Sequence, residues 1–215
     1  MTRRSLVVIS GGYMIAIIDY GVGNLFSLKS SLREIGAEAV VTSDEKVIAE
    51  ADRIILPGVG AFEDAARKLR ESGMADVVKR EADRGKPILG ICLGMQLMFD
   101  KGYEYGVHEG LGLIHGNVRP ISDVIPEGYK IPHIGWNHLK FCKESPLFKY
   151  ISEGDYVYFV HSYYAADCSE SVIAVTEYGA DLTAAAANGN VYGCQFHPEK
   201  SGTVGMKILK AFVEL

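Results

Sequence analysis

The sequence lacks several features that would define its class at once. No apolar run among its 215 residues approaches the roughly 20 that a membrane span requires. No C-x-x-C pair is present, and the cysteines have no spacing typical of zinc ligands. Positive charge is in the minority, since 22 Lys and Arg face 27 Asp and Glu, for a net charge of -5. These absences argue against membrane, zinc and nucleic-acid-binding proteins, because phosphate contacts need clustered positive charge.

The composition that remains is ordinary for a globular protein, with 48% hydrophobic and 23% charged residues. The length suits one large domain that buries a sizeable core without disulfides. The cysteines are Cys92, Cys142, Cys168 and Cys194, and no secretory context surrounds them. We therefore expect free thiols in a reducing compartment and a cytoplasmic protein.

The first thirteen residues are predicted to lie outside the domain. Their short apolar run is broken at Gly11 and Gly12, and no small-residue cleavage site follows, so we expect no export. We interpret residues 1–13 as a leader, an expression-vector scar or an overlong start. The domain is then predicted to cover residues 14–215.

Hydrophobic periodicity predicts an α/β fold. Short apolar runs alternate with helical patterns, which is typical of a mostly parallel sheet with helices on both faces. The predicted strands are 15–19, 37–42, 53–56 and 87–91, and the predicted helices are 25–35, 45–51, 62–84 and 93–100. Beyond residue 102 we expect antiparallel additions, with strands at 111–119, 134–141, 155–164, 172–178 and 191–196 and a closing helix at 204–215.

Ligands bind at the carboxyl ends of the strands in such sheets, so the turns there are the first candidates for a site. The turn at 19–24 begins like a dinucleotide fingerprint, but Phe26 replaces the third glycine. We favour a tight strand-to-helix turn with Asn24 near the helix cap. The turn at 57–62 contains Gly58 and Gly60, whose backbone amides could face an anion, although a plain turn is an equal alternative.

The third turn carries the strongest chemical signal. Cys92 stands between a strand and a helix with Gly90 and Gly94 beside it, which is the G-x-S-x-G nucleophile pattern with Cys in place of Ser. The glycines let strand and helix pack closely, and the helix N-terminus favours a thiolate. The amide of Leu93 would then point at an oxyanion formed by attack at Cys92.

The alternative for each cysteine is a small buried core residue. That alternative suits Cys194, which strand alternation places on the face opposite His197. It suits Cys142 and Cys168 less well, because their polar neighbours predict surface positions. It suits Cys92 least, since a core cysteine does not require glycine on both sides.

A thiolate nucleophile needs a base, and the base needs a partner that orients it. His197 directly follows the predicted strand 191–196, which places it on the same rim of the sheet as Cys92. Glu199 lies two residues later and can hold the imidazole through a hydrogen bond. A structural histidine is the alternative, but the nucleophile pattern favours catalysis.

Together these residues resemble a known family. The stretches 90–96 and 196–199 resemble class I (triad) glutamine amidotransferases. The stretches 57–62, 133–137, 158–163 and 195–201 resemble the glutaminase subunits of imidazole glycerol phosphate synthases, and the resemblance covers residues 14–215. It implies a flavodoxin-like α/β fold, hydrolysis of glutamine to glutamate and ammonia, and no metal or organic cofactor.

The resemblance also implies a partner and a substrate site. The expected partner is a cyclase subunit with a (β/α)8 barrel, bound as a heterodimer. It would use the ammonia to form imidazole glycerol phosphate and aminoimidazole carboxamide ribotide in histidine biosynthesis. The expected oxyanion hole comprises Leu93, Gly58, Val59 and Gly60, and the expected glutamine contacts are Gln96, Glu104, His161, Ser162 and Tyr163. The predicted docking face comprises Pro132, Ile134, Trp136 and Tyr158.

Other functions stay open at this point. A glutaminase subunit of another synthase, such as anthranilate synthase, would co-purify with a different partner. A cysteine peptidase or γ-glutamyl hydrolase of similar fold would cleave substrates other than free glutamine. A non-catalytic binding module is disfavoured by the intact set of Cys92, His197 and Glu199. Trp136 could equally be a core residue, since a single aromatic is often buried.

Overall fold

The computed structural model describes residues 13–215, so the prediction of a leader at 1–13 lies outside the described residues except for Tyr13. The strands are β1 Met14–Ile18, β2 Glu38–Thr42, β3 Arg53–Leu56, β4 Ile88–Ile91, β5 Lys101–Gly102, β6 His108–Glu109, β7 Asn117–Pro120, β8 His133–His138, β9 Lys140–Phe141, β10 Tyr156–His161, β11 Tyr163–Ala166, β12 Val172–Glu177, β13 Asp181–Asn188 and β14 Val191–Cys194. The helices are α1 Leu25–Glu34, α2 Glu45–Glu50, α3 Phe62–Glu71, α4 Met74–Asp83, α5 Leu93–Gln96 and α6 Gly202–Val213. None of these helices is long and apolar enough to cross a membrane.

An eight-stranded sheet forms the centre of the molecule, in the order β2-β1-β3-β4-β14-β13-β12-β9. The first five strands in that order pair in parallel, and the last three join antiparallel. Strands β3 and β4 are buried along their whole length, and apart from Arg53, whose Nε donates to the Phe212 carbonyl, their residues are apolar or glycine. The predicted mostly parallel sheet with antiparallel additions is confirmed.

Helices cover both faces of the sheet, as predicted. Successive residues of β1 point to opposite faces, because side chains alternate along a strand. Ala16 and Ile18 pack in one core with residues of α2, α3 and α4, whereas Ile15 and Ile17 pack in a second core with residues of α1 and α6. The turn after β1 is the tight turn we favoured, since the Asn24 side chain accepts the Ser27 N–H at the start of α1.

Two smaller sheets complete the fold. Strands β8 and β10 form an antiparallel ribbon in which Trp136 pairs with Tyr158 and Ile134 with Val160. Strands β11, β7, β5 and β6 form the other sheet. Ser162 alone joins β10 of the ribbon to β11. Val160 and His161 at the end of β10 lie in the same part of the molecule as Cys92, which follows β4, and His197, which lies shortly after β14.

Two predicted helices are shorter than expected. The helix predicted at 62–84 is two helices, because Gly73 adopts a φ of 76° between α3 and α4. The helix predicted at 93–100 ends at Gln96. There the carbonyls of Leu97 and Met98 accept N–H groups from the loop at 111–114 instead of continuing the helix.

The strand predicted at 111–119 is also shorter than expected. Its first residues fold back on the turn after α5, and only Asn117–Pro120 is a strand. Strand β13 was missed by the sequence prediction. Cys168 is buried, so its predicted surface position is wrong, whereas Cys142 is exposed and Cys194 is buried as expected.

Candidate active site

Cys92 occupies a strained turn at the carboxyl end of β4. Its φ of 54° and ψ of -113° lie outside the regions that non-glycine residues prefer. The flanking glycines are required by close packing: a Cβ at Gly94 would stand 1.9 Å from the Leu56 carbonyl oxygen, and one at Gly90 would stand 2.7 Å from the Met95 Cα. Strand β4, the loop after β3 and the start of α5 thus hold the sulfur at the rim of the sheet.

His197 and Glu199 form a buried pair beside this turn. The His197 Nδ1 lies 2.8 Å from Glu199 Oε1, and the two side chains are 3% and 4% exposed. The turn of 3-10 helix at Pro198–Lys200 brings the carboxylate back onto the ring. Glu199 Oε2 has no hydrogen-bond partner among residues 13–215.

The surroundings of His197 favour its protonated form. Burial lowers the pKa of His197, but the hydrogen bonds of its ring to the side chains of Cys92 and Glu199, with their negative charges, outweigh burial and raise the pKa to about 9. At neutral pH the site therefore holds an imidazolium between a sulfur and a carboxylate. This arrangement can supply a proton to a leaving group.

A cavity of about 350 Å³ opens over the sulfur of Cys92. It contains all five predicted glutamine contacts and three of the four predicted oxyanion residues. The lining residues are Val59, Gly60, Cys92, Leu93, Gln96, Glu104, Pro132, Val160, His161, Ser162, Tyr163, His197 and Lys200. Gly58 is the exception, because it packs against the start of α5 and not toward the cavity. An added Cβ there would stand 2.5 Å from the Gly94 nitrogen.

The carbonyl of Tyr163 organises one wall of this cavity. It accepts a hydrogen bond from Gln96 Nε2 at 3.1 Å and another from His161 Nδ1 at 2.8 Å. A carbonyl can only accept, so His161 carries its proton on Nδ1 and offers Nε2 to His133 Nδ1 at 3.0 Å. Burial, chiefly, lowers the pKa of His161 to about 4 and keeps its ring neutral.

Glu104 has a second contact besides the cavity. Its Oε2 accepts the backbone N–H of Phe62 at 2.6 Å, at the first residue of α3. The preceding Ala61 has no side-chain capping group, so Glu104 supplies the missing acceptor from a distant loop. The carboxylate is thereby fixed in place with its other oxygen free to face a ligand.

Three of the four predicted docking residues, Ile134, Trp136 and Tyr158, lie on one face of the β8–β10 ribbon. Ile134 is 58% exposed and Trp136 is 52% exposed, so the core alternative for Trp136 is wrong. The Trp136 and Tyr158 rings meet edge to face with centroids 5.9 Å apart. Pro132 is exposed at the edge of the cavity, which makes this apolar face continuous with the cavity mouth.

Sequence reasoning missed three residues at the site, and the first is Val160, which lines the cavity and whose carbonyl oxygen lies 3.9 Å from Cys92 Sγ. Lys200 lines the cavity, and its ammonium lies 5.9 Å from the centre of the Tyr158 ring. Gln195 is fully buried, and its Nε2 lies 3.6 Å from Cys92 Sγ. Strand alternation offered a signal for Gln195, because a residue two positions before His197 shares its face.

Comparisons with known proteins identify the family of the chain. The family described as "Glutamine amidotransferase class-I" matches residues 16–215. The "Imidazole glycerol phosphate synthase subunit HisH" of Caldanaerobacter subterraneus subsp. tengcongensis is 53% identical over 203 residues, covering 94% of this chain and 98% of the relative. The protein of the same description from Lactococcus lactis subsp. lactis is 49% identical over 201 residues, covering 93% and 98% of the two chains.

Solved structures share the fold at low sequence identity. The structure of PurLQS from Thermotoga maritima aligns with a TM-score of 0.75 at 21% identity, over 94% of this chain and 98% of that chain. The glutaminase domain of Trypanosoma brucei CTPS aligns with a TM-score of 0.64 at 17% identity, over 94% of each chain. From the family match and the close relatives, the chain belongs to the class-I glutamine amidotransferases, among the HisH subunits of imidazole glycerol phosphate synthase.

Proposed function

We propose that the chain hydrolyses L-glutamine to glutamate and ammonia at Cys92 and delivers the ammonia to a cyclase subunit in histidine biosynthesis. The observation that carries this proposal is the strained turn that places Cys92 beside the buried His197–Glu199 pair at the base of one cavity. The description of its relatives as synthase subunits supports the partner.

The chemistry follows from the proton positions. The Cys92 thiolate attacks the side-chain carbonyl carbon of glutamine and forms a carbon–sulfur bond. The tetrahedral intermediate expels its nitrogen as ammonia, with a proton from the His197 imidazolium. The neutral His197 then takes a proton from water, whose oxygen attacks the thioester. Glutamate leaves, the sulfur returns to a thiolate and His197 returns to its protonated form.

The negative oxygen of each intermediate needs N–H donors. Leu93 is the first residue of α5, so its N–H has no partner within the helix. The loop at 57–60 packs against Leu93. Gly60 in this loop has a φ of 98°, a backbone conformation that would be strained in a residue with a side chain. We assign the oxyanion hole to Leu93 and this loop, where one such donor contributes about 3 kcal/mol.

The amino-acid end of glutamine has a polar wall to contact. The free oxygen of Glu104 suits the α-ammonium group, and Gln96 lies on the helical turn that follows Cys92. The backbone from His161 to Tyr163 forms the rest of that wall. The cavity of about 350 Å³ is large enough for one small amino acid.

The partner is proposed to be a cyclase with a (β/α)8 barrel, bound as a heterodimer over Pro132, Ile134, Trp136 and Tyr158. Ammonia released into bulk water would be protonated, so the open side of the cavity must be covered during turnover. The apolar face at the cavity mouth is suited to that cover. The free cysteines, with one exposed, fit a reducing cytoplasm.

The test is glutamate formation by the full chain, alone and with the cyclase subunit and its nucleotide ligand. We expect Cys92→Ser to lower the rate at least about 1,000-fold, as losses of triad nucleophiles do. Cys142→Ser is the matched control and should keep the full rate. Hydrolysis that survives Cys92→Ser, or release of ammonia from peptides but not from free glutamine, would overturn the proposal.

A further inference from the structure

We infer that Gln195 is a further catalytic residue, because its side-chain amide donates an N–H to the Cys92 sulfur and is held in that orientation by a hydrogen-bond chain that begins at the Tyr163 carbonyl. The inference rests on the proposed role of Cys92 as the nucleophile. The chain runs from Tyr163 O through the Gln96 amide to the Gln195 amide and ends at Cys92 Sγ.

The carbonyl at the start of this chain fixes the first amide. Tyr163 O can only accept, so the group of Gln96 that faces it at 3.1 Å must be the NH2. The same nitrogen lies 2.9 Å from Gln195 Oε1. Its two hydrogens are thus both used, and the oxygen of Gln96 is left to accept from a ligand in the cavity.

The second amide is fixed by the first. Because Gln96 presents a donor, Gln195 must present its oxygen to Gln96 and its nitrogen to Cys92. A flipped Gln195 amide would set two NH2 groups against each other. Gln195 is fully buried, so water cannot replace either contact.

An N–H aimed at the sulfur favours the charged form. The thiol can donate to the Val160 carbonyl, 3.9 Å from Cys92 Sγ, but a thiolate has no proton to place there. The thiolate instead accepts from Gln195 and from the His197 imidazolium. Gln195 therefore shifts the balance toward the thiolate and holds the sulfur in a fixed direction.

The chain also connects the sulfur to the glutamine contacts. Gln96 meets the ligand with an oxygen, so it suits the α-ammonium or the carboxamide N–H of glutamine rather than the carboxylate. Removing the acceptor at Gln195 frees the Gln96 amide to rotate. Removing only the donor at Gln195 leaves Gln96 in place.

Two substitutions separate these roles. Gln195→Met removes both donor and acceptor at similar length. Gln195→Glu keeps the acceptor for Gln96 but replaces the N–H donor near the sulfur with a carboxylate oxygen. The rate of alkylation of Cys92 by iodoacetamide is measured against pH in the full-length protein, by mass spectrometry of the Cys92 peptide. Exposed Cys142 in the same chain is the internal reference.

We expect the midpoint of the Cys92 pH–rate curve to move up by about one pH unit in Gln195→Met, an approximately tenfold slower reaction below the midpoint. It should move further in Gln195→Glu, while the Cys142 curve stays unchanged. With the cyclase and its ligand present, the KM for glutamine should rise severalfold in Gln195→Met and stay within about twofold in Gln195→Glu.

An unmoved Cys92 midpoint in either variant that melts like the parent protein would overturn the inference, because a purely structural residue would lower the rate without shifting its pH dependence. Alkylation needs no turnover. Failure of glutamine hydrolysis by the parent protein would therefore contradict the proposed function, whereas the alkylation rates would still show whether Gln195 acts on the Cys92 sulfur.

Discussion

At the scale of single residues, the site depends on one histidine that stays protonated while buried. Burial opposes a charge on His197, and the hydrogen bonds of its ring to the side chains of Cys92 and Glu199, together with their electrostatic attraction, overcome it. A proton held this firmly makes the folded state sensitive to alkaline pH.

The first prediction concerns that sensitivity. The folded pKa of about 9 lies above the value near 6.5 of an unfolded histidine, so the folded state binds this proton more tightly. The stabilisation is complete below about pH 6.5 and is lost as the pH rises to about 9. We expect the free energy of unfolding, measured in urea, to fall by about 1–3 kcal/mol between pH 6.5 and pH 9.

The matched variant is His197→Gln, which cannot take up the proton. Its free energy of unfolding should vary less between pH 6.5 and 9 than that of the parent protein. Equal slopes in the two proteins would show that His197 is not the group responsible.

Residue-level reasoning from the sequence pointed to this turn as the candidate site, because close packing there demands particular residue types. Gly94 cannot carry a Cβ beside the Leu56 carbonyl, so the nucleophile turn is visible as Gly-x-Cys-x-Gly. Gln195 could not be assigned in this way, because its role depends on the distance from Gln96, which is 99 positions away in the chain. Cys168 was misplaced because polar neighbours along the chain do not report its packing beneath β13.

At the scale of elements, the parallel strands were predictable and some of their connections were not. Strands buried on both faces need continuous apolar sequences, and β3 coincides with its predicted range. Strand β13 contains four consecutive alanines, a residue that favours helices, and only its place between β12 and β14 makes it a strand. Tertiary context decided that element, and the sequence pattern alone did not report it.

The break between α3 and α4 gives the second prediction. Gly73 has a φ of 76°, and an added Cβ would meet no atom of residues 13–215 within 4 Å, so a substitution is expected to cost chiefly backbone strain. We expect Gly73→Ala to lower the free energy of unfolding by about 1–2 kcal/mol.

Gly73→Asn is the matched comparison, because asparagine tolerates left-handed backbone better than alanine does. Urea denaturation should therefore place Gly73→Asn between the parent protein and Gly73→Ala. Gly73→Ala as stable as the parent would mean that the two helices can merge into the single helix that the periodicity predicts.

At the scale of the whole molecule, the cavity and the apolar ribbon face form one continuous surface. Tyr158 links them: its ring meets Trp136 on the ribbon, and the Lys200 ammonium from the cavity wall lies over it. The Tyr158 carbonyl oxygen also accepts a hydrogen bond from the backbone N–H of His197, with an N–O distance of 3.0 Å. A partner bound on the ribbon would therefore contact Tyr158, whose backbone is hydrogen-bonded to that of His197, the proposed catalytic base.

The third prediction tests this surface. Trp136→Ala should weaken binding of the cyclase subunit by about 2 kcal/mol, because half-exposed tryptophans are frequent hot spots of interfaces. Tyr13→Ala is the control, since Tyr13 is an exposed aromatic just before β1, at the opposite end of the strands. Calorimetric titration should give unchanged affinity for the control, and equal affinities for both variants would exclude Trp136 from the docking face.

The fourth prediction concerns coupling of the two reactions. Tyr158→Ala should release ammonia before it reaches the cyclase, because it removes the ring that lies between Trp136 on the docking face and Lys200 in the cavity wall. We expect more glutamate than imidazole product per turnover, with a smaller effect on either rate measured separately. Strict one-to-one formation of the two products in this variant would show that Tyr158 does not help to retain ammonia.

In the proposed reaction Cys92 forms a thioester with the glutamyl group of glutamine, and this intermediate can be trapped. The full chain with its cyclase partner and ligand is mixed with isotopically labelled glutamine, quenched in acid during turnover and digested for mass spectrometry. We predict label on the Cys92 peptide, at a level that decays as glutamine is exhausted. Turnover with no label on Cys92, or with label on Cys142, Cys168 or Cys194 instead, would contradict the account.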